Sequence, residues 1–488
     1  MTAQQMRAVI VGGGIAGLTA AYRLRAEATR SGVPLDVVLV EASDRLGGVI
    51  STETFEGAVI ENGPDSFITT KPAALLLCGE LGLVRNLVET NNQFRRAFIA
   101  FRNKLHPLPE GFFMLAPSQM LPLLQSPLFS PLGKMRMMLD VVLPAKPDAG
   151  DESLASFVKR RLGKEVLDRV AQPMMAGIYT ADPEKLSLRS TMPQFLQYEA
   201  DYGSVIVGLQ EQRKKADRCE SSFGTNDMTA RDSGARYSMF ATLDSGMGLL
   251  VSALAERIGT DKIRLKSRVE GLRRDRDRWI VNLDEGETLE ADVLILAVPA
   301  HKCANLLHGV DPQLSNSLAG IEYASSMVLN MVYKRSDIAN ALDGFGFVVP
   351  AVEHRNIIAC SYSSIKFPHR APEGMATLRV FLGGALRPEI TTLSEPEVVS
   401  LAQRDLRHYL GIKAQPIWYK LARWAESMPQ YEVGHAARVD QIMHAVHNLP
   451  GLYLAGNAYS GVGIPDCIKG GENVARAALE RLHTLVPG

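Results

Sequence analysis

The residues with the clearest chemical use stand near the start of the chain. Gly12-Gly13-Gly14-Ile15-Ala16-Gly17 is a G-x-G-x-x-G run between the apolar stretch RAVIV and the helix-forming LTAAYRLRAEA. Gly12 permits a tight turn, Gly14 lets a pyrophosphate approach the backbone, and Gly17 lets helix pack on strand. Gly13, Ile15 and Ala16 complete the loop, and the helix start turns N–H groups and positive partial charge toward phosphates. Glu41 closes the next apolar run, LDVVLVE, where a carboxylate accepts from ribose hydroxyls. The expectation is a dinucleotide site; the alternative is a merely structural turn.

Glu41-Ala42-Ser43-Asp44-Arg45-Leu46-Gly47-Gly48 adds a second glycine pair, which brings Ala42 and further backbone against a cofactor and Arg45 near its phosphates. This arrangement resembles the double-glycine flavoproteins, so FAD is expected rather than NAD. In that superfamily VLILAVP (293–299) matches a returning strand and Val269 an apolar contact on the adenine side. Gly456 ends a C-terminal strand, and Gly461-Val462-Gly463-Ile464-Pro465 opens a helix whose N–H groups suit negative charge on a reduced ring. Cys467, just beyond, is expected to be a packed thiol, leaving the FAD non-covalent. Trp424 is expected in the core or beside the flavin. His444 and His447 lack a third ligand, so no metal site is expected, and no Ser/His/Asp arrangement is readable.

These residues need elements to hold them. Strand, glycine turn, helix and strand at the N-terminus make a βαβ unit, and strand signals recur at both chain ends. The expected class is α/β (α+β overall), with a Rossmann-like FAD-binding domain drawn from 1–75, 237–300 and 425–488. A largely helical domain is expected over 76–215, carrying part of the substrate pocket, and a mixed-sheet substrate domain over 301–424. The span 211–236, nearly devoid of apolar residues, reads as a flexible polar loop.

Composition excludes several classes. The 488 residues carry 53 Lys+Arg and 53 Asp+Glu, so no whole-chain field draws in nucleic acid or an anionic membrane. Five scattered cysteines without C-x-x-C spacing argue against a disulfide scaffold and for a reducing cytoplasm. The polar start, running straight into a strand, reads as no secretory signal. The uncharged stretch from 111 to 133 is long enough to span a membrane, but Pro117, Pro122, Pro127 and Pro131 break it. Membrane contact is at most peripheral, through Phe112, Phe113, Leu115, Leu121 and Leu124.

Four further segments, GPDSF (63–67), GIYTADPEKLSL (177–188), RWAESMPQYEVGH (423–435) and GVGIPDCI (461–468), resemble the porphyrinogen oxidases of haem biosynthesis, most closely the Bacillus-type branch. The resemblance implies six-electron oxidation of a porphyrinogen, coproporphyrinogen III ahead of protoporphyrinogen IX, with dioxygen as acceptor and peroxide released. It implies flavin contacts from Gly63, Pro64, Asp65 and Ser66, substrate contacts from Ile178 and Tyr179, and a proton-accepting role for the Gly177 carbonyl. Asp65 departs from the arginine that plant and animal enzymes place after Gly-Pro, which shifts attention to Lys71 as the carboxylate partner. Arg95, Arg96, Arg102 and Lys104 are further basic candidates. A transient hand-off to the next haem-pathway enzyme and a place in the cytoplasm, peripheral to the inner membrane face, complete the implied picture. The rivals are a flavin amine oxidase or carotenoid desaturase, and a non-catalytic FAD-binding regulator.

Overall fold

The computed structural model describes residues 6–146, 150–222 and 239–485. Its centre is a parallel sheet. Met6–Val11 lies between Leu35–Val40 and Val293–Leu296, with Ile263–Arg264 and Leu452–Leu454 at the edges. The strands are almost wholly aliphatic because both faces are covered. Ala8, Ile10, Val37, Leu39 and Ile295 pack under the helices Ile15–Ser31, Gly248–Ile258 and Ile464–Leu485. Val9, Val11, Val38, Val40 and Leu296 face a three-stranded antiparallel sheet, Val269–Asp275, Arg278–Leu283 and Thr288–Ala291. The dinucleotide fold is thus assembled from both ends and the middle of the chain.

A second, seven-stranded sheet runs in the order Trp418–Pro429, Tyr323–Lys334, Met375–Gly383, Ile357–Tyr362, Gly346–Val348, Ala97–Phe101 and Lys104–Pro107. The helix Glu395–Leu410, started by a Ser394/Glu397 capping box, covers its aliphatic face. The last two strands come from the otherwise largely helical span 76–215. AFIAF is a short β run, and Gly346–Val348 draws it into the sheet by parallel pairing.

The helical part is held by a buried ion pair. Arg161 Nε donates to Asp140 Oδ1 at 2.6 Å, and the same guanidinium reaches the carbonyls of Asp140, Leu143, Pro144 and Gly203. The polar span reads differently in the structure: 211–222 continues the helix Val205–Ser222, anchored through Val205, Ile206 and Leu209. Its C-terminal half is helical without an apolar stripe, which a composition argument takes for loop. The remainder, 223–236, falls outside the described residues.

The proline-rich stretch forms two short helices, Met120–Gln125 and Pro131–Met138. Among the described residues no helix is long and apolar enough to cross a membrane. Phe112 and Leu115 sit in the core rather than on the surface, whereas Leu121, Leu124, Leu132, Met135 and Val142 are each more than half exposed.

Candidate flavin and substrate site

The glycine loop is built as its spacing demands. Gly12 has φ +108°, and a Cβ there would lie 2.6 Å from the Ala297 carbonyl oxygen; a Cβ on Gly17 would lie 2.0 Å from the Gly12 carbonyl oxygen. Gly14 is different: a Cβ there meets nothing within 4 Å. The second glycine pair comes up beside it, as Gly47 N–H donates to the Gly13 carbonyl at 2.8 Å. Gly14 therefore borders open space at a helix N-terminus, with Gly48 packed close on it (a Cβ there would lie 3.4 Å from Gly14 Cα), a cradle fit for pyrophosphate. The Ile15 and Ala16 side chains turn into the core.

Glu41 Oε2 accepts from Gly13 N–H at 2.7 Å, while Oε1 accepts from the Ser43 N–H and Oγ, each at 2.8 Å. That uses three of the carboxylate's roughly four lone-pair sites and leaves one for a ribose hydroxyl. Ala42 lies exposed beside it. Ser267 N–H donates to the Glu41 carbonyl at 2.9 Å, which sets half-buried Val269 at this end of the groove. Arg45 is bonded to the backbone of its own loop. Its guanidinium donates to the carbonyls of Leu46, Gly48 and Ile50 and lies 5.9 Å from the Trp424 ring, so it shapes the glycine loop.

Trp424 in turn donates from Nε1 to the Asn62 carbonyl at 2.7 Å, fixing the Gly63–Ser66 segment. A Cβ on Gly63 would lie 1.7 Å from the Val49 carbonyl oxygen, so only glycine lets this segment lie on the loop after Gly48. Pro64 is half-buried. Asp65 is among the expected flavin contacts. The carboxylate turns inward to Lys366 Nζ, at 3.1 Å, and Arg379 Nη1, at 3.0 Å. These cations hold it well below the usual carboxylate range despite its burial. Ser66 Oγ donates to Asp65 and accepts from Lys366, so Asp65 and Ser66 leave mainly their backbone for a cofactor.

At the C-terminal helix, a Cβ on Gly456 meets nothing within 4 Å, and Gly461 N–H donates to the Tyr431 hydroxyl at 3.0 Å. Gly463 and half-buried Val462 lead into Ile464 and the first turn of the helix. Cys467 is buried and its thiol is pushed up to about 12 by that burial, so it stays a protonated packing group. Asp466 receives Lys71 Nζ at 2.7 and 2.8 Å. Lys71 thus reaches the expected neighbourhood with its charge already paired.

The helix Gln172–Tyr179 delivers the other wall. A wide π-turn over Leu167–Ala171 precedes it, next to Pro173, which has no N–H to continue the regular ladder. Gly177 and Ile178 are exposed, and the Gly177 carbonyl accepts no hydrogen bond among the described residues. The Tyr179 carbonyl accepts from Gln430 Nε2 at 3.3 Å, and its ring lies 6.4 Å from that of Tyr431. Tyr431, not anticipated from the sequence, joins the two walls, for its hydroxyl donates to the Asn457 carbonyl at 2.5 Å while receiving Gly461. His435 stacks on it at 4.1 Å, kept neutral because burial lowers its pKa to about 4.

Charge rules out one other cleft for a polycarboxylate. The hollow beside Thr391 is bordered by Asp182, Glu322, Glu426 and Glu432, with Lys185 as its cation. Of the other basic candidates, Arg96 pairs with Asp343 at 3.3 Å, Arg102 lies over Phe101, and Arg95 and Lys104 are exposed.

The comparisons agree with this geometry. The family described as flavin containing amine oxidoreductase matches residues 15–479. A coproporphyrinogen III oxidase of Bacillus subtilis (strain 168) is 35% identical over 477 residues, covering 98% of each chain. A chloroplastic protoporphyrinogen oxidase of Nicotiana tabacum is 29% identical, over 97% of this chain and 85% of that one. A crystal structure from Exiguobacterium sp. 255-15 has a TM-score of 0.83 at 29% identity, covering 98% of this chain and 100% of its own. With an open glycine cradle, a carboxylate bonded to the glycine loop and a match along nearly its whole length, the chain belongs to the family of flavin-containing amine oxidoreductases and takes FAD as its cofactor.

Proposed function

We propose that the protein oxidises a porphyrinogen, coproporphyrinogen III in preference to protoporphyrinogen IX, with dioxygen as acceptor. One porphyrinogen and three dioxygen give one porphyrin and three hydrogen peroxide, so hydrogen and electrons balance. FAD held in the glycine cradle would supply the two-electron redox chemistry between macrocycle and oxygen. This chain's residues hold, orient and shield. Glu41 and the two glycine loops fix the dinucleotide, while Ile178 and Tyr179 form an apolar wall against which a methylene bridge is held.

The observation that carries the reading is the run Tyr179–Tyr431–Gly461, which ties the exposed Gly177 segment to the C-terminal flavin-side loop. The free Gly177 carbonyl is suited to accept a proton as the macrocycle is oxidised. The coproporphyrinogen preference is supported by the higher identity to the Bacillus enzyme. Lys71, balanced by Asp466, acts at the rim, where a substrate carboxylate must compete for its ammonium. Oxygen uptake and peroxide yield, measured together during turnover, should be equal and three times the porphyrin formed, with no effect of a chelator. A requirement for nicotinamide or metal would contradict the reading.

We also propose peripheral membrane contact through the exposed apolar side chains of Leu121, Leu124, Leu132, Met135 and Val142, near Lys134 and Arg136. Anionic vesicles should sediment the wild type but leave a Leu121→Glu/Leu132→Glu variant in the supernatant. Equal sedimentation of the two would remove this surface from consideration.

A further inference from the structure

Behind the Gly63–Ser66 segment lies an ion cluster that the site as described does not use. Glu61 Oε1 accepts from Arg370 Nη1 at 2.8 Å, and Asp65 accepts from Lys366 and Arg379. Glu61 and Arg370 are 2% and 1% exposed, and Arg379 6%. Three cations, Lys366, Arg370 and Arg379, thus meet two anions, Glu61 and Asp65, and the cluster carries a surplus of one positive charge away from water.

It is also rich in donors. Arg370 Nε, Arg379 Nε, Ser363 Oγ and Thr377 Oγ1 are buried without partners among the described residues, and their side chains border one small cavity. Such a surplus is costly unless negative charge lies close by.

The backbone in front shows where that charge belongs. The Asn62 carbonyl is drawn to Trp424 Nε1, the Gly63 carbonyl to Arg379 Nη2, and the Asp65 carbonyl to Arg370 Nη2 and Thr242 Oγ1. A planar peptide sets its N–H opposite its C=O. The Ser66 N–H is therefore turned away from the cluster and the Gly63 N–H away from Trp424, and neither finds an acceptor among the described residues. Gly63 is buried, so its N–H is a donor awaiting a partner.

We propose that Lys366, Arg370 and Arg379, with Glu61 and Asp65, form a positioning cluster whose surplus positive charge, relayed by the Gly63–Ser66 backbone, favours negative charge on the bound flavin ring. This rests on the flavin and not on the identity of the substrate. The cluster raises the flavin's readiness to take electrons without touching substrate.

The test is sulfite titration of the wild-type, Lys366→Met and Glu61→Gln holoenzymes. Sulfite adds to an oxidised flavin and leaves negative charge on the ring. Lys366→Met cancels the surplus and weakens sulfite binding about tenfold, the effect of one charge at ~10 Å in an effective dielectric of ~20. Glu61→Gln doubles the surplus and tightens binding by a similar factor, because the arginines keep their protons. Asp65→Asn is less telling, since burial already disfavours the charge on Lys366 and that proton would leave with the carboxylate. The flavin midpoint potential should fall in the first variant and rise in the second. Two variants that both weaken sulfite binding, or that leave it unchanged, overturn the proposal, because a lost structural contact has no reason to change sign. Should Lys366→Met emerge without flavin, Glu61→Gln decides alone: tighter sulfite binding upholds the proposal and any other result overturns it. Failure of every porphyrinogen as substrate would leave this measurement unaffected.

Discussion

Gly14 and Gly17 stand one turn apart and serve opposite needs. A side chain on Gly14 enters open space, whereas one on Gly17 runs into the Gly12 carbonyl at 2.0 Å. Gly14→Leu should therefore fold with near-wild-type thermal stability but purify colourless. Gly17→Leu should lose at least ~1–3 kcal/mol of stability, the usual range for overpacking, whatever the flavin content. Circular dichroism melting and the flavin absorbance of the two variants check this. A yellow Gly14→Leu protein would contradict the cradle. The geometry of both glycines, and the place of Glu41 beside their loop, were legible because a local motif dictates its own backbone geometry. Asp65 was not legible. Its partners, Lys366 and Arg379, lie some 300 residues along the chain and carry no motif of their own. Arg45 shows the opposite case, since its acceptors are carbonyls in the very loop it belongs to.

At the scale of elements, the first and last helices of the described chain cross where a glycine lets them touch. A Cβ on Gly471 would lie 2.5 Å from the Ala16 carbonyl oxygen and 3.1 Å from Thr19 Cβ. Both helices begin at the cofactor groove, so their separation should disturb both ends of the flavin. Gly471→Val should cost about 1–3 kcal/mol and speed flavin release together. Thermal melting followed in parallel by circular dichroism and flavin fluorescence measures both, and loss of stability with unchanged flavin retention would uncouple the helices from the site. The parallel strands were readable because burial on both faces makes them aliphatic throughout. The strands Ala97–Phe101 and Lys104–Pro107 were not, because nothing local says that Gly346–Val348 will pair with the first of them. Helix over 211–222 was missed because the large apolar residues of Val205–Ser222 end at Leu209, while helix formation continues along an already nucleated segment.

For the whole molecule, zero net charge hides strong local asymmetry. The Glu61–Arg379 cluster is positive and enclosed, the hollow near Thr391 is acidic, and the apolar side chains of 121–142 are gathered on the helical part. The first two do not follow from composition, since each collects residues that the fold brings together. Oxidation of a porphyrinogen is the reading that joins the flavin groove to the exposed Gly177–Tyr179 wall. The measurement that tests it most directly is steady-state porphyrin fluorescence in air, with protein purified without added cofactor and the two porphyrinogens assayed side by side. Both substrates should yield porphyrin, with kcat/KM higher for coproporphyrinogen III. Rapid turnover of amines with neither porphyrinogen oxidised would contradict the account.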